Sequence, residues 1–208
     1  MTQEPHYLGA FRDGLDMHTI MAEAILNRAL KTKDERNLGK AANFGVVSYG
    51  GSSKALIGTA LDYGMLLTKK QALEYIAKLR KANPKIEAWG QAKLQEMISQ
   101  GWLQTPIGHR RWFPGENRET VARNTPIQSL AAGILKEAMA SYYDRLAIHY
   151  PSAFMALTVH DELLTECDKG DEHEIEEMKK EEMLKSSTKW IRSVPTDVNT
   201  YISNCWEK

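Results

Sequence analysis

Between Pro126 and Tyr142 apolar residues return every three or four positions, as Ile127, Leu130, Ala131, Ile134, Leu135, Ala138 and Tyr142. At 3.6 residues per turn this spacing lines one side of an α-helix. Pro126 suits the first helical position, where its missing N–H leaves no bond unmade. The spacing therefore predicts a long helix opening at Pro126 and makes it a core element.

Helix signals also fill the region upstream. Asp16 suits an N-cap, with Ile20, Met21, Ala24 and Ile25 on one face behind it, and this helix is expected to fray near Lys33. Thr32 followed by Glu35 reads as a capping box opening DERNLGKAANFGVV, which stops at Gly50 and Gly51. Ser52 or Ser53 caps a short helix ending near Gly64, and Thr68 caps another with Ala72, Ile76 and Leu79 inward. Asn83 and Pro84 restart the chain into a helix carrying Ile86, Trp89 and Leu94, which Gly101 ends.

β-type runs are short. WLQTPIGHRRWFPG reads as a hairpin or loop, and MALTV and LLTEC flank His160, Asp161 and Glu162 at a hairpin bend. A charged helix from about Glu172 and a strand-like TDVNTYI follow. The fold class is mainly α with a small antiparallel β-hairpin or sheet, that is α+β. A functional boundary is drawn between a helical portion, 1–101, and a portion built on the long helix and the carboxylate hairpin, 102–208.

Composition bounds the function only loosely. Lys+Arg and Asp+Glu both number 27, so net charge gives no sign of a nucleic-acid partner and any basic surface is local. Cys167 and Cys205 form no CxxC or Cys/His cluster, which argues against a disulfide framework or structural zinc and fits a reducing cytoplasm. The N-terminal MTQEPHYLGAFRDG lacks the apolar core of a signal peptide, and no apolar run nears the roughly 20 residues that span a bilayer. A soluble, unsecreted protein with no membrane partner is expected.

Two local patterns carry chemistry. Arg36, Lys40 and Phe44 lie four residues apart, a step that rotates only about 40° on an α-helix, so two cations and a ring share one face. A triphosphate is met by such forked and compact cations, and a flat ring lies against base or sugar. His18, just inside the preceding helix, adds an imidazole near a helix N-terminus. Spacing alone also describes the commoner case, solvated Arg36 and Lys40 with Phe44 in the core.

The second pattern is TVHDELLTE. Two-ion nucleotidyl transfer needs carboxylates about a metal pair roughly 4 Å apart, and Mg²⁺ prefers oxygen ligands. Asp161 and Glu162 sit where side chains project beyond a sheet. Neighbours in a strand point to opposite faces, so both ligate only if the backbone turns there. An ordinary acidic turn in solvent fits the same residues.

Taken in order, GLDMHT, RNLGKAANFGVVSYGG, TPIGHRR, RNTPIQSLAAGILKEAM and TVHDEL resemble the family A, polymerase-I-like, DNA polymerases. The resemblance runs from about Tyr7 to the terminal SNCWEK and implies the family's fingers plus part of its palm. It implies that His18, Arg36 and Lys40 contact an incoming deoxynucleoside triphosphate, that Phe44 stacks on its sugar and base, and that Lys40 is the candidate general acid. Asp161 matches a metal-binding aspartate, with Glu162 as its auxiliary carboxylate and His160 near the primer end. Asn124 and Gln128 match residues touching the primer–template, and Arg110 and Arg111 a pair on its backbone. Two Mg²⁺ ions are the implied cofactor.

Three departures stand out. No DYSQIE-type segment, which in the family carries a second metal-binding aspartate, occurs here. The expectation is a chain starting just after it, as one polypeptide of a split polymerase whose partner supplies that aspartate, the thumb and the rest of the palm, in a bacterial or phage-infected cell. The family's Tyr eight residues after the Lys is Ser48 here, and Tyr49 follows; on an α-helix Tyr49 lies about 140° from Phe44, so it reaches the active face only through a bulge or a helix end. Thr120 replaces an Arg one turn before Asn124, with Arg118 or Arg123 as substitutes. The competing reading is a catalytically incompetent nucleotide- or DNA-binding module.

Overall fold

A computed structural model describes residues 2–206. Its helices are α1 (Pro5–Arg12), α2 (Met17–Leu26), α3 (Lys33–Ala42), α4 (Ser53–Asp62), α5 (Lys69–Ala82), α6 (Pro84–Gln100), α7 (Glu119–His149) and α8 (Glu172–Trp190). A π-helix, Asn43–Ser48, continues directly from α3. The strands β1 (Trp102–Gln104) and β2 (Arg110–Trp112) form one antiparallel pair, and β3 (Phe154–Val159) and β4 (Glu162–Glu166) another. The α+β class is as expected. The chain divides inside α7, into a unit ending at Gln128 and a unit starting at Ser129.

In the first unit the caps work as the sequence predicts. Asp16 accepts from the N–H groups of His18 and Thr19, Ser52 from Ala55, and Thr68 and Gln71 close a full capping box. The Thr32 box closes only halfway. Thr32 Oγ1 accepts from the Glu35 N–H, but the Glu35 carboxylate turns back to Arg28, at 2.6 and 3.0 Å, and to the Lys31 N–H at 2.8 Å. These bonds, with Arg28 as the first cause, hold the Glu35 carboxyl well below its ordinary range, at about 2. α2 stops at Leu26, short of Lys33, because Asn27 adopts the left-handed conformation with φ 55°. A side-chain amide tolerates that conformation and so terminates a helix.

Met17, Met21, Ile25, Leu38, Ala41, Ala42, Val46, Val47, Leu56, Ala72, Ile76 and Leu79 bury together as this unit's main core. α2 and α3 meet at Gly39, where a Cβ would lie 1.9 Å from the His18 carbonyl oxygen and 2.9 Å from the Ala22 Cβ. That close approach brings His18 alongside the face of α3. Gly39→Ala should destabilise the chain by about 1–3 kcal/mol, since the helices must part, and the shift of a urea unfolding midpoint measures it.

Glu4 is buried, and its carboxylate accepts from the N–H groups of Lys85, at 2.9 Å, and Ile86, at 3.2 Å. It thereby caps α6 from a distant segment, in place of Asn83, whose side chain makes no capping bond. Met97, Leu103, Phe113 and Ala122 form a smaller cluster under the β1–β2 hairpin.

α7 corrects the sequence reading, because it begins at Glu119 and carries Pro126 inside. Proline costs a bond and crowds the carbonyl four residues back, yet the preceding turn is pinned by tertiary contacts: Ala122 is fully buried and Arg123 is ion-paired. In the second unit Tyr142, Leu146, Ala153, Leu163, Ile175 and Met178 form the core between α7, the β3–β4 hairpin and α8. The segment TDVNTYI, expected as a strand, is not assigned as one.

Candidate functional site

The residues singled out on α2 and α3 come together. His18 and Phe44 face each other with ring centroids 5.4 Å apart, tilted by 54°. Phe44 is exposed, so it is not a core residue. Arg36 donates through Nε and Nη2 to Asp16 at 2.7 and 2.9 Å, and Lys40 Nζ lies 5.7 Å from the centre of the Tyr63 ring. Burial pushes the His18 pKa down, the cations Arg36 and Lys40 push it the same way, and Asp16 opposes them. His18 Nδ1 is buried without a hydrogen-bond partner among the described residues. The result is an imidazole biased toward its neutral form, beside an exposed ring.

The change of winding after Ala42 bears on Tyr49. A π-helix closes its hydrogen bonds over five residues instead of four, and this wider winding spans Asn43–Ser48, directly before Tyr49. Tyr49 is the C-cap of the π-helix, and its hydroxyl accepts from Gln128 Nε2 at 3.3 Å. The chain then turns sharply, with the Gly51 N–H donating to the Gly45 carbonyl at 2.8 Å. A Cβ on Gly51 would lie 2.1 Å from that same oxygen.

Sequence reasoning missed what holds this turn. Arg123 is 1% exposed and pairs with Glu87 at 2.6 Å and with Glu119, while its Nη1 donates to the Val47 carbonyl at 3.3 Å. Gly90 makes room for it, since a Cβ there would sit 2.1 Å from Arg123 Nε. Neither proposed stand-in for the Arg missing at Thr120 is unpaired: Arg123 is locked into this cluster, and Arg118 pairs with Glu116 at 2.7 Å. The only sequence trace was the Glu119–Arg123 spacing of four residues.

On the hairpin, Trp102 pairs with Trp112 and Gln104 with Arg110. Arg110 stacks over the Trp102 ring at 4.5 Å and Arg111 over Phe113 at 5.2 Å. Both arginines are exposed and have no carboxylate partner among the described residues. Asn124 is half-buried, and its Oδ1 has no hydrogen-bond partner among the described residues.

In the second unit, Val159 pairs directly with Glu162, so the chain reverses through His160 and Asp161 alone. His160 takes the left-handed conformation, φ 55°. Asp161 thus lies in the turn itself, and Glu162 is the first residue of β4. His160, Asp161 and Glu162 are all exposed. Among the described residues no three His, Cys, Asp or Glu side chains gather as a metal-holding group.

A family model described as DNA polymerase family A matches residues 1–208. The chain belongs to DNA polymerase family A. Among its family A relatives, DNA polymerase I of Aquifex aeolicus is 31% identical over 99% of this chain and 36% of its own length. DNA polymerase I of Geobacillus stearothermophilus is 33% identical over 82% of this chain and 20% of its own. The chain thus spans about a third or less of these relatives' length. The fold is similar to part of the POL domain of Pol1 from M. smegmatis, solved in complex with DNA primer-template and dNTP, at a TM-score of 0.75 and 24% identity, over 89% of this chain and 34% of that one.

Proposed function

We propose that this chain binds a deoxynucleoside triphosphate and primer–template and contributes one metal-binding carboxylate to template-directed nucleotidyl transfer. The observation that carries this reading is the grouping of His18, Arg36, Lys40 and Phe44 in a family A chain, with the two rings 5.4 Å apart. Arg36 and Lys40 would grip the phosphates, Phe44 would lie against sugar and base, and Lys40 would hand a proton to the departing pyrophosphate. Arriving phosphates would offset the cations that now depress His18, raising its pKa and favouring a third positive contact. Asn124, Gln128, Arg110, Arg111 and His160 would meet the primer–template.

Asp161, with Glu162 beside it, is the carboxylate offered to Mg²⁺, whose chemistry there is to activate the primer oxygen and stabilise the leaving group. A two-ion site takes more carboxylates than one hairpin turn carries. We therefore infer that a second aspartate comes from outside these residues, on a polypeptide segment that also carries the thumb and remaining palm, in the cytoplasm of a bacterium or phage-infected cell.

The test mixes this chain with such a polypeptide and follows Mg²⁺-dependent primer extension. Extension by the mixture and not by either part is the expected result. A stable, DNA-bound mixture that extends nothing would favour an incompetent binding module instead. In the chain itself, Arg36→Ala and Lys40→Ala should each weaken dATP binding by about 10- to 100-fold, the usual range for a lost charge-assisted hydrogen bond, as titration calorimetry would read.

A further inference from the structure

Asp16 has two attachments that no phosphate-gripping role for Arg36 requires. Its carboxylate caps α2, accepting from the Thr19 N–H at 3.2 Å, the Thr19 hydroxyl at 2.6 Å and the His18 N–H at 3.4 Å. The same two oxygens take Nε and Nη2 of Arg36 side-on. A guanidinium has five N–H donors in a planar fork. Held by its Nε edge, Arg36 still offers the end-on pair formed by Nη1 and the outer N–H of Nη2, and Nη1 has no partner among the described residues. The Asp16 carboxyl is held well below its ordinary range, chiefly by Arg36, so the pair is intact at neutral pH.

Resting on the triphosphate reading above, we infer that Asp16 is a positioning residue that fixes the Arg36 guanidinium to the start of α2, beside His18, with its end-on fork left open for a phosphate. A free arginine must surrender several side-chain rotations when it grips a ligand. Arg36 has already surrendered them to Asp16. The carboxylate does repel an arriving phosphate, but both partners are more than a third exposed, at 42% and 37%, and solvent screens that repulsion while the orientation persists. Lysine would not serve in place of Arg36, because a single ammonium cannot present one edge to a carboxylate and another to phosphate.

Asp16→Asn provides the test, since Asn caps helices as well as Asp does and α2 should keep its start. Binding of dATP to the full chain should weaken by about two- to ten-fold, the ordering penalty of one long side chain, with an unchanged thermal midpoint. In an Arg36→Ala background the same substitution should change nothing. Tighter binding by Asp16→Asn would overturn the inference and make the carboxylate a competitor of the phosphate. An equal loss in the Arg36→Ala background would also overturn it and leave Asp16 a helix cap only. Failure of the triphosphate reading has a different signature, Arg36→Ala and Lys40→Ala both without effect, and would remove the inference with it.

Discussion

Asp161→Asn should lower Mg²⁺-dependent primer extension by about 10³-fold in the reconstituted mixture, because metal stabilisation of transition-state charge is worth several kcal/mol. Asn has the shape of Asp without the charge, so the loss isolates the ligand. The substitution should leave folding untouched. Asp161 is exposed on a two-residue turn, and its carboxylate makes no hydrogen bond or ion pair among the described residues. The β3–β4 register is fixed by Val159 opposite Glu162, on either side of it. Primer–template affinity, read by fluorescence anisotropy, should stay within about two-fold, as expected for a surface change away from packed groups. Extension at the original rate would remove Asp161 from the metal site and leave the acidic turn as a solvated bend.

The largest effect on stability is expected at Arg123. Replacing it with Ala should cost about 3–5 kcal/mol, because two carboxylates then lose the buried cation that neutralises them. Glu87 and Glu119 both point at it, and the Val47 carbonyl loses a donor. Arg123→Met, which refills much of the volume, should recover little while both acids remain. Adding Glu87→Gln and Glu119→Gln should recover more, since neutral amides need no counter-charge. Urea midpoints of these variants decide between the two causes: equal recovery by Met alone would mean that volume, not charge, is what Arg123 supplies.

Much of the first unit was legible because caps and apolar faces are local. Asp16, Ser52 and Thr68 each name the N–H they will meet within three residues, and Gly101 marks its helix end by a left-handed turn. The grouping of His18 with Phe44 was only half legible. The stripe on α3 follows from spacing, but its nearness to α2 depends on Gly39, and nothing local tells a helical glycine at a crossing from a merely weak one.

Three features were not legible. The π winding leaves no side-chain signature of its own, since the Ser48/Tyr49 shift fits a helix end as well as a bulge and Asn43–Ser48 reads as ordinary helix. The start of α7 was misplaced by about two turns because Pro126 is a strong local signal, outweighed here by Ala122 and Arg123. Arg123 itself is a charged residue in a buried position, and the Glu87 and Gly90 that make the place habitable lie far off in sequence.

The π-helix between Lys40 and Gly50 also bears on how such a chain tolerates change in length. An insertion in an α-helix rotates everything beyond it by about 100°, which would swing Val46 and Val47 out of the core they share with Leu38 and Leu56. Taking the additional residue into one wide turn confines the disturbance to that turn. Each end of the segment then keeps its own phase: Arg36 and Lys40 stay on one face, while Val46 and Val47 stay in the core with Ala41 and Ala42.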